Sequence, residues 1–115
     1  MALWGLVFIG GGIGASGRFF LSQLALKTSL PLWQGTLFAN GIGCIAFFLS
    51  FRYFNLADKE LHHFIRIGIL GSLTTFSTFS FELVSSIQQG RFKEALLIFS
   101  LNMLIGILIG IWIFR

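Results

Sequence analysis

The chain has 115 residues, of which 56% are hydrophobic and only 10% are charged, and its mean hydropathy is +0.89. A soluble domain carries about 25% charged residues, so this composition excludes a soluble globular protein and indicates a membrane protein. The net charge of +4 comes from Lys and Arg side chains at the ends of apolar stretches. There they anchor to lipid head groups, so nucleic-acid binding is not expected.

Four apolar stretches are long enough to cross a bilayer, which takes about 20 residues. The predicted fold is therefore an all-α membrane protein whose whole length forms one four-helix transmembrane domain. No cleavable signal peptide is evident, and the connectors are short, so we predict an up-down-up-down bundle. The spans are expected at residues 2–26, 32–54, 61–87 and 95–114.

Span 1 contains a run of small residues, Gly10-Gly11-Gly12-Ile13-Gly14-Ala15. Small residues four apart let helix backbones approach closely in a membrane. Arg18 follows about two turns inside the end of the span. A charge at that depth is either paired and functional or snorkels to the interface, and the sequence leaves both readings open.

Span 2 carries Asn40, with Thr36 and Gly43 on the same helical face at i, i+4 and i+7 spacing. An unpaired amide in hydrocarbon costs several kcal/mol, roughly 2–7 by polar-burial estimates. Asn40 is therefore expected to face another helix or a water-filled path. An interhelical hydrogen bond alone would satisfy it.

Span 3 contains the most unusual stretch of the chain, Gly71-Ser72-Leu73-Thr74-Thr75-Phe76-Ser77-Thr78-Phe79-Ser80. Ser and Thr hydroxyls compete for backbone carbonyls, so the helix is predicted to break here, in mid-membrane. A break survives there only inside protein or beside a cavity. It frees carbonyls that suit a cation and N–H groups that suit an anion, and the residues alone do not choose between the two.

Phe76 and Phe79 lie three apart and so neighbour each other on one helical face. Aromatic edges are positive, so two rings beside Ser77 form a path with positive dipoles and no fixed charge. Packing is the alternative, since the chain has 15 phenylalanines. Glu82 is predicted to serve structure, hydration or gating, or to be an interfacial charge near the helix end.

Span 4 has one polar residue at depth, Asn102, whose role the sequence leaves open. Four Lys and Arg side chains fall on each side of the membrane in the predicted topology, so the positive-inside rule gives no preferred orientation. Both orientations are then able to insert, and we predict an antiparallel homodimer. The tally sets Arg52, Lys59, Arg66 and Arg115 against Arg18, Lys27, Arg91 and Lys93.

Two other classes of function compete with an ion path. A small multidrug-type proton antiporter would also be a four-helix, dual-topology dimer, but it needs a membrane-buried carboxylate. Span 1 has none, and Glu82 is expected near a helix end, so the sequence disfavours this class. A purely structural subunit has no need for the clustered hydroxyls or for Asn40.

Taken together, the motifs resemble those of the Fluc (CrcB-type) fluoride ion channels. The resemblance covers the whole chain in order: the glycine run with Arg18, Gly35-Thr36-Leu37 with Asn40 and Gly43, and the stretch from Gly71 to Phe79. Ser72 stands where many members have Gly.

The resemblance implies a passive channel, not an enzyme, that exports fluoride across the inner membrane of a bacterium and lowers cytoplasmic fluoride. It implies an antiparallel, dual-topology homodimer in membrane lipid with two pores. Gly71 and Thr74 would offer carbonyls to a structural Na⁺ at the dimer interface, and Arg18 would lie near a vestibule. The implied fluoride pathway comprises Asn40, Phe76, Ser77 and Phe79, and Glu82 resembles an acidic position of the family's third span.

Overall fold

Four helices of the computed structural model, which describes residues 2–54 and 57–115, are long and apolar enough to cross a membrane. They are α1 (Ala2–Lys27), α2 (Leu32–Tyr53), the third span (Lys59–Gln88) and α6 (Phe92–Ile113). The described ranges contain no strand, so the all-helical architecture with four candidate spans is confirmed. The predicted bounds differ by at most three residues, at the start of span 4. Residues 55 and 56 of the predicted second connector lie outside the described residues.

The two turns at the bundle end away from the termini close in the same way. After α1, Ser29 takes a left-handed backbone (φ 58°), and the Leu30 N–H reaches back to the carbonyl of Ala25. After the third span, Gly90 does the same (φ 71°), and the Arg91 N–H reaches a carbonyl five residues back. A left-handed residue after a helix satisfies its last carbonyls, at little cost when the residue is Gly.

Close contact between α1 and the third span depends on glycine. A methyl group on Gly14 would collide with the backbone carbonyl of Ile69, and one on Gly10 would meet the backbone of Phe64 and Gly68. Backbone cannot move aside as a flexible side chain can. The predicted role of the glycine run in helix packing is therefore confirmed.

α2 and α6 are parallel, and residues spaced four apart on one helix contact residues spaced four apart on the other. Asn40 faces Asn102, Cys44 faces Gly106 and Phe48 faces Gly110. The ring of Phe48 fills the space that a side chain at Gly110 would need. This register places the two asparagines at the same depth.

The third span consists of several segments. It begins as α3 (Lys59–His62), continues as a π-helical segment (His63–Leu70) and ends its first part as α4 (Gly71–Leu73). Thr74 (φ −79°, ψ 152°) and Thr75 (φ −147°, ψ 120°) then have extended backbone, and α5 (Phe76–Gln88) follows. The two residues are called the Thr74–Thr75 segment below.

Buried Arg66 joins the π-helical segment to the end of α2. Its guanidinium donates to the hydroxyl of Ser50 (3.0 Å) and to the carbonyls of Ser50 (2.7 Å) and Phe54 (3.3 Å). It also lies 3.6 Å from the ring centroid of Phe51. Since the last carbonyls of a helix lack intrahelical partners, Arg66 serves as the cap of α2.

Candidate functional site

The Thr74–Thr75 segment separates two helices whose ends it must satisfy. The Thr75 hydroxyl oxygen accepts the N–H of Thr78 (3.2 Å) and so caps the start of α5. The Thr74 N–H and hydroxyl both donate to the carbonyl of Leu70 (3.2 Å each). Threonine suits this place because its side chain replaces a backbone partner that the extended conformation removes.

Asn40 holds the backbone of Thr75 on both sides. Its Oδ1 accepts the Thr75 N–H (2.7 Å), and its Nδ2 donates to the Thr75 carbonyl (3.2 Å). A helix would have used that N–H on the carbonyl of Gly71, four residues back. The side-chain amide of α2 therefore takes over a main-chain hydrogen bond of the third span.

Asn102 completes this network from α6. The second N–H of the Asn40 amide donates to Asn102 Oδ1 (2.9 Å), and Asn102 Nδ2 donates to the carbonyl of Ile98 (2.9 Å). Because the Thr75 N–H is always a donor, it fixes the oxygen of Asn40, and that in turn fixes the oxygen of Asn102. Both N–H groups of Asn40 are used within the protein.

Several carbonyls near the segment have exchanged or lost their helical partners. The Ser72 carbonyl accepts from Arg18 Nε (3.2 Å), so Arg18 is paired with the third span. The N–H groups that would bond to Gly71 and Thr74 in a helix, those of Thr75 and Thr78, are taken by side chains. Within the described ranges, the Gly71 and Thr74 carbonyls thus retain unused acceptor capacity.

A cavity of about 380 Å³ lies beside the segment, and its lining contains no charged residue. Phe76 and Phe79 have ring centroids 5.7 Å apart with the ring planes at 55°. Phe79 is buried, with 4% of its surface exposed, whereas Phe76 is 75% exposed. The rings neighbour each other, as their spacing predicts, but only Phe79 belongs to the core. The lining includes Asn40, Gly43, Cys44, Gly71, Thr74, Thr75, Phe76, Phe79 and Asn102.

Three of the predicted site residues lie outside this cavity lining. Ser77 is exposed, with its hydroxyl 3.3 Å from that of Thr75. Arg18 contacts the Ser72 carbonyl from α1. Glu82 lies beside another cavity, which is lined also by Trp33, Ser86 and Glu94.

Glu82 does not lie at the end of its helix. The residue lies in the middle of α5, half-buried, and its Oε1 accepts the hydroxyl of Thr36 (2.7 Å). Its other oxygen and the Trp33 indole N–H are buried, and neither has a hydrogen-bond partner among the described residues. Thr36, Asn40 and Gly43 thus all face the third span, as their i, i+4, i+7 spacing predicts.

The sequence interpretation missed two residues of the site. Thr75 is the residue that Asn40 holds, and nothing in its local pattern separates it from Thr74. The sequence marks Asn102 as polar at depth but gives it no partner. The available signal is that α2 and α6 each carry one asparagine at depth.

Comparison with known proteins supports one family. Residues 5–113 match the family described as CrcB-like protein, Camphor Resistance (CrcB). Curated proteins from Salmonella arizonae, Salmonella paratyphi B and Salmonella newport, each named fluoride-specific ion channel FluC, are 43% identical over 103 residues, which is 85% of this chain and 80% of theirs. With four candidate spans and this match over nearly its full length, the chain is a multi-pass membrane protein of the CrcB family.

Proposed function

We propose that this protein is a fluoride channel that lets fluoride leave the cell passively and so lowers its cytoplasmic concentration. The family and the names of its relatives support this function. The structural observation that carries it is the uncharged cavity beside the Thr74–Thr75 segment, with the two phenyl rings in its wall. Conduction needs contacts weak enough for the ion to leave, which dipoles satisfy better than a fixed cation.

The anion pathway is proposed to run past Phe76, Phe79, Ser77 and Asn40. An anion that takes an N–H of Asn40 must displace either the Thr75 carbonyl or Asn102 Oδ1. Loss of the Asn102 contact leaves Thr75 held on both sides, so the Asn40–Asn102 bond is the exchangeable one. Asn40 thereby supports the backbone and offers an anion contact.

The functional unit is proposed to be an antiparallel, dual-topology homodimer whose third spans are broken in mid-membrane at the Thr74–Thr75 segment. The equal number of Lys and Arg side chains at each side supports both orientations. The 75% exposure of Phe76 beside the open cavity leaves a wall that a second copy would complete. A C-terminal tag should then be labelled from both faces of the membrane, and one-sided labelling would reject dual insertion.

A structural Na⁺ at the dimer interface is proposed at the carbonyls of Gly71 and Thr74. Both are oxygen acceptors that the hydrogen bonds of Asn40 and Thr75 have left without their helical donors. Hard cations prefer such oxygen ligands. A bound Na⁺ would offset the partial negative charge of these carbonyls, and the chain's part is to hold them in the extended conformation.

Arg18 and Glu82 are proposed to act outside the cavity itself. Arg18 keeps a positive charge beside α4 while it donates to the Ser72 carbonyl. Glu82 lines the second cavity and accepts a hydrogen bond from Thr36, and its unused carboxylate oxygen suits a bound water. These positions fit vestibule or gating roles in a channel of a bacterial inner membrane.

Fluoride efflux from liposomes tests the proposal. Purified protein should release fluoride from vesicles loaded with potassium fluoride, followed with a fluoride electrode, and should release chloride far more slowly. Absence of fluoride efflux would overturn the channel. Proton-coupled uptake of a quaternary amine would instead favour the antiporter, which the family match disfavours.

A further inference from the structure

A cavity with two arginines in its lining lies at the end of the bundle where α2 and α6 both finish. It has a volume of about 360 Å³ and is formed by Leu49, Arg52, Tyr53, Trp112, Ile113 and Arg115. Since α2 ends at Tyr53 and α6 at Ile113, the cavity lies where two spans leave the hydrocarbon. It shares no lining residue with the cavity at the Thr74–Thr75 segment.

The lining of this cavity carries two guanidinium groups and no Asp or Glu side chain. Arg52 donates from Nη1 to the carbonyl of Ile113 and lies 5.5 Å from the ring centroid of Tyr53. A guanidinium has five N–H groups in a fork that matches phosphate, so most of its donors stay available. Arg115 is exposed at the end of the described chain.

Other arginines of the bundle are already committed. Arg66 donates to the hydroxyl of Ser50 and to two carbonyls at the end of α2. Arg91, at the opposite end of the bundle, pairs with Glu94 at 3.4 Å. The cavity at that end also contains Glu82 and Glu94, whose negative charges would repel an anion. Arg52 and Arg115 are therefore the exposed arginines that have no acidic partner among the described residues.

Aromatic side chains place the cavity at the depth of lipid head groups. Trp112 is 73% exposed, and Tyr53 beside it is also largely exposed. Both residue types prefer the membrane–water interface, where one part of the ring contacts acyl chains and the other contacts water. Leu49 and Ile113 add an apolar wall on the side of the spans.

We propose that this cavity binds the phosphate of an anionic phospholipid, with Arg52 and Arg115 as its ligands. Basic pockets between transmembrane helices favour anionic head groups, and each Lys or Arg contributes about 1 kcal/mol near such a surface, or about five-fold in affinity. A lipid fits better than free phosphate because the apolar wall and the Trp112 ring accommodate its glycerol and upper acyl chains.

Lipid titration of the full-length protein by native mass spectrometry tests this site. Phosphatidylglycerol and phosphatidylcholine with the same acyl chains should be compared in an uncharged detergent. Phosphatidylglycerol should bind more tightly, by about five-fold for each arginine. Arg115→Gln should reduce the preference by about that factor while it leaves the Arg52–Ile113 bond intact. The pair Arg52→Gln with Arg115→Gln should abolish the preference.

Arg91→Gln with Lys93→Gln is the matched control, because it removes the same charge from the opposite end of the bundle. The control should keep the preference for phosphatidylglycerol, and excess inorganic phosphate should not displace the lipid. Equal binding of the two lipids would overturn the proposal, as would an equal loss in the control pair. Displacement by inorganic phosphate would assign the cavity to a free anion and would also overturn it.

Discussion

The third span departs from α-helical winding twice, and the two departures are satisfied in opposite ways. In the π-helical segment (His63–Leu70), the span's own groups keep the bonding, as when the Gly71 N–H bonds to the Arg66 carbonyl five residues back. In the Thr74–Thr75 segment, the bonds pass to Asn40, Arg18 and the Thr75 side chain. The first departure is self-contained, whereas the second depends on two other helices.

The two departures also differ in what they place beside the span. The π-helical segment has its backbone in close contact with Gly10 and Gly14 of α1. An extended segment instead leaves carbonyls and side-chain donors beside a cavity. The extended segment requires polar side chains at depth on neighbouring helices. Substitution of these side chains should therefore affect the segment more than it affects the packing of the bundle.

Asn40→Ala should have the largest effect, because it leaves the Thr75 N–H and carbonyl without their partner. Each unsatisfied buried group costs about 1–3 kcal/mol. We expect a lower midpoint of thermal unfolding and loss of fluoride efflux. Asn102→Ala is the matched control, since it removes an asparagine from the network but leaves Thr75 held on both sides. Equal losses in the two variants would contradict the role of Asn40 as the support of this segment.

Gly14→Ala should disrupt the self-contained departure. Its methyl group would meet the Ile69 carbonyl, which is backbone and cannot rotate away, and such overpacking costs about 1–3 kcal/mol. The yield of monodisperse protein in size-exclusion chromatography should fall. Gly12→Ala lies in the same run with nothing within 4 Å of the new methyl group, so it should behave as wild type. If both variants behave alike, the close approach of α1 to the third span is wrong.

Arg18→Gln should have a smaller effect, because it removes one hydrogen bond to the Ser72 carbonyl, worth about 1.5–3 kcal/mol at most for a charged donor and less where water reaches the site. Unfolding should shift slightly while fluoride efflux falls by a few-fold. Arg18→Lys keeps the charge but lacks the Nε donor. It should therefore restore fluoride efflux toward the wild-type rate more fully than it restores the unfolding midpoint. Equal efflux in both variants would show that the charge of Arg18 is not used.

Much of the architecture could be predicted from the sequence. Apolar length gave four spans, and glycine spacing indicated where α1 packs closely. The spacing of Thr36, Asn40 and Gly43 identified the polar face of α2. These features depend on local pattern, which the chain carries in the order of its residues.

The remaining features depend on the register between helices, which no local pattern contains. That Asn40 meets Asn102 follows from how α2 and α6 align, and that Asn40 holds Thr75 and not Thr74 follows from the tertiary fold. The sequence predicts Arg66 as one of the charges on one side of the membrane, yet the side chain is buried and caps α2. Its role depends on where α2 ends, and the chain between the two spans gives no sign of it.

The most direct test of the account is the initial rate of fluoride efflux from liposomes containing Phe76→Ile, Phe79→Ile or Phe8→Ile. Phe8 is exposed like Phe76 but lies on α1, away from the cavity lining. The account predicts a fall of at least about ten-fold, or about 1.4 kcal/mol in the barrier, for Phe76→Ile and for Phe79→Ile, with assembly intact, and little change for Phe8→Ile. Unchanged efflux in both cavity variants would contradict an anion path beside the two rings and would indicate that the rings serve only in packing.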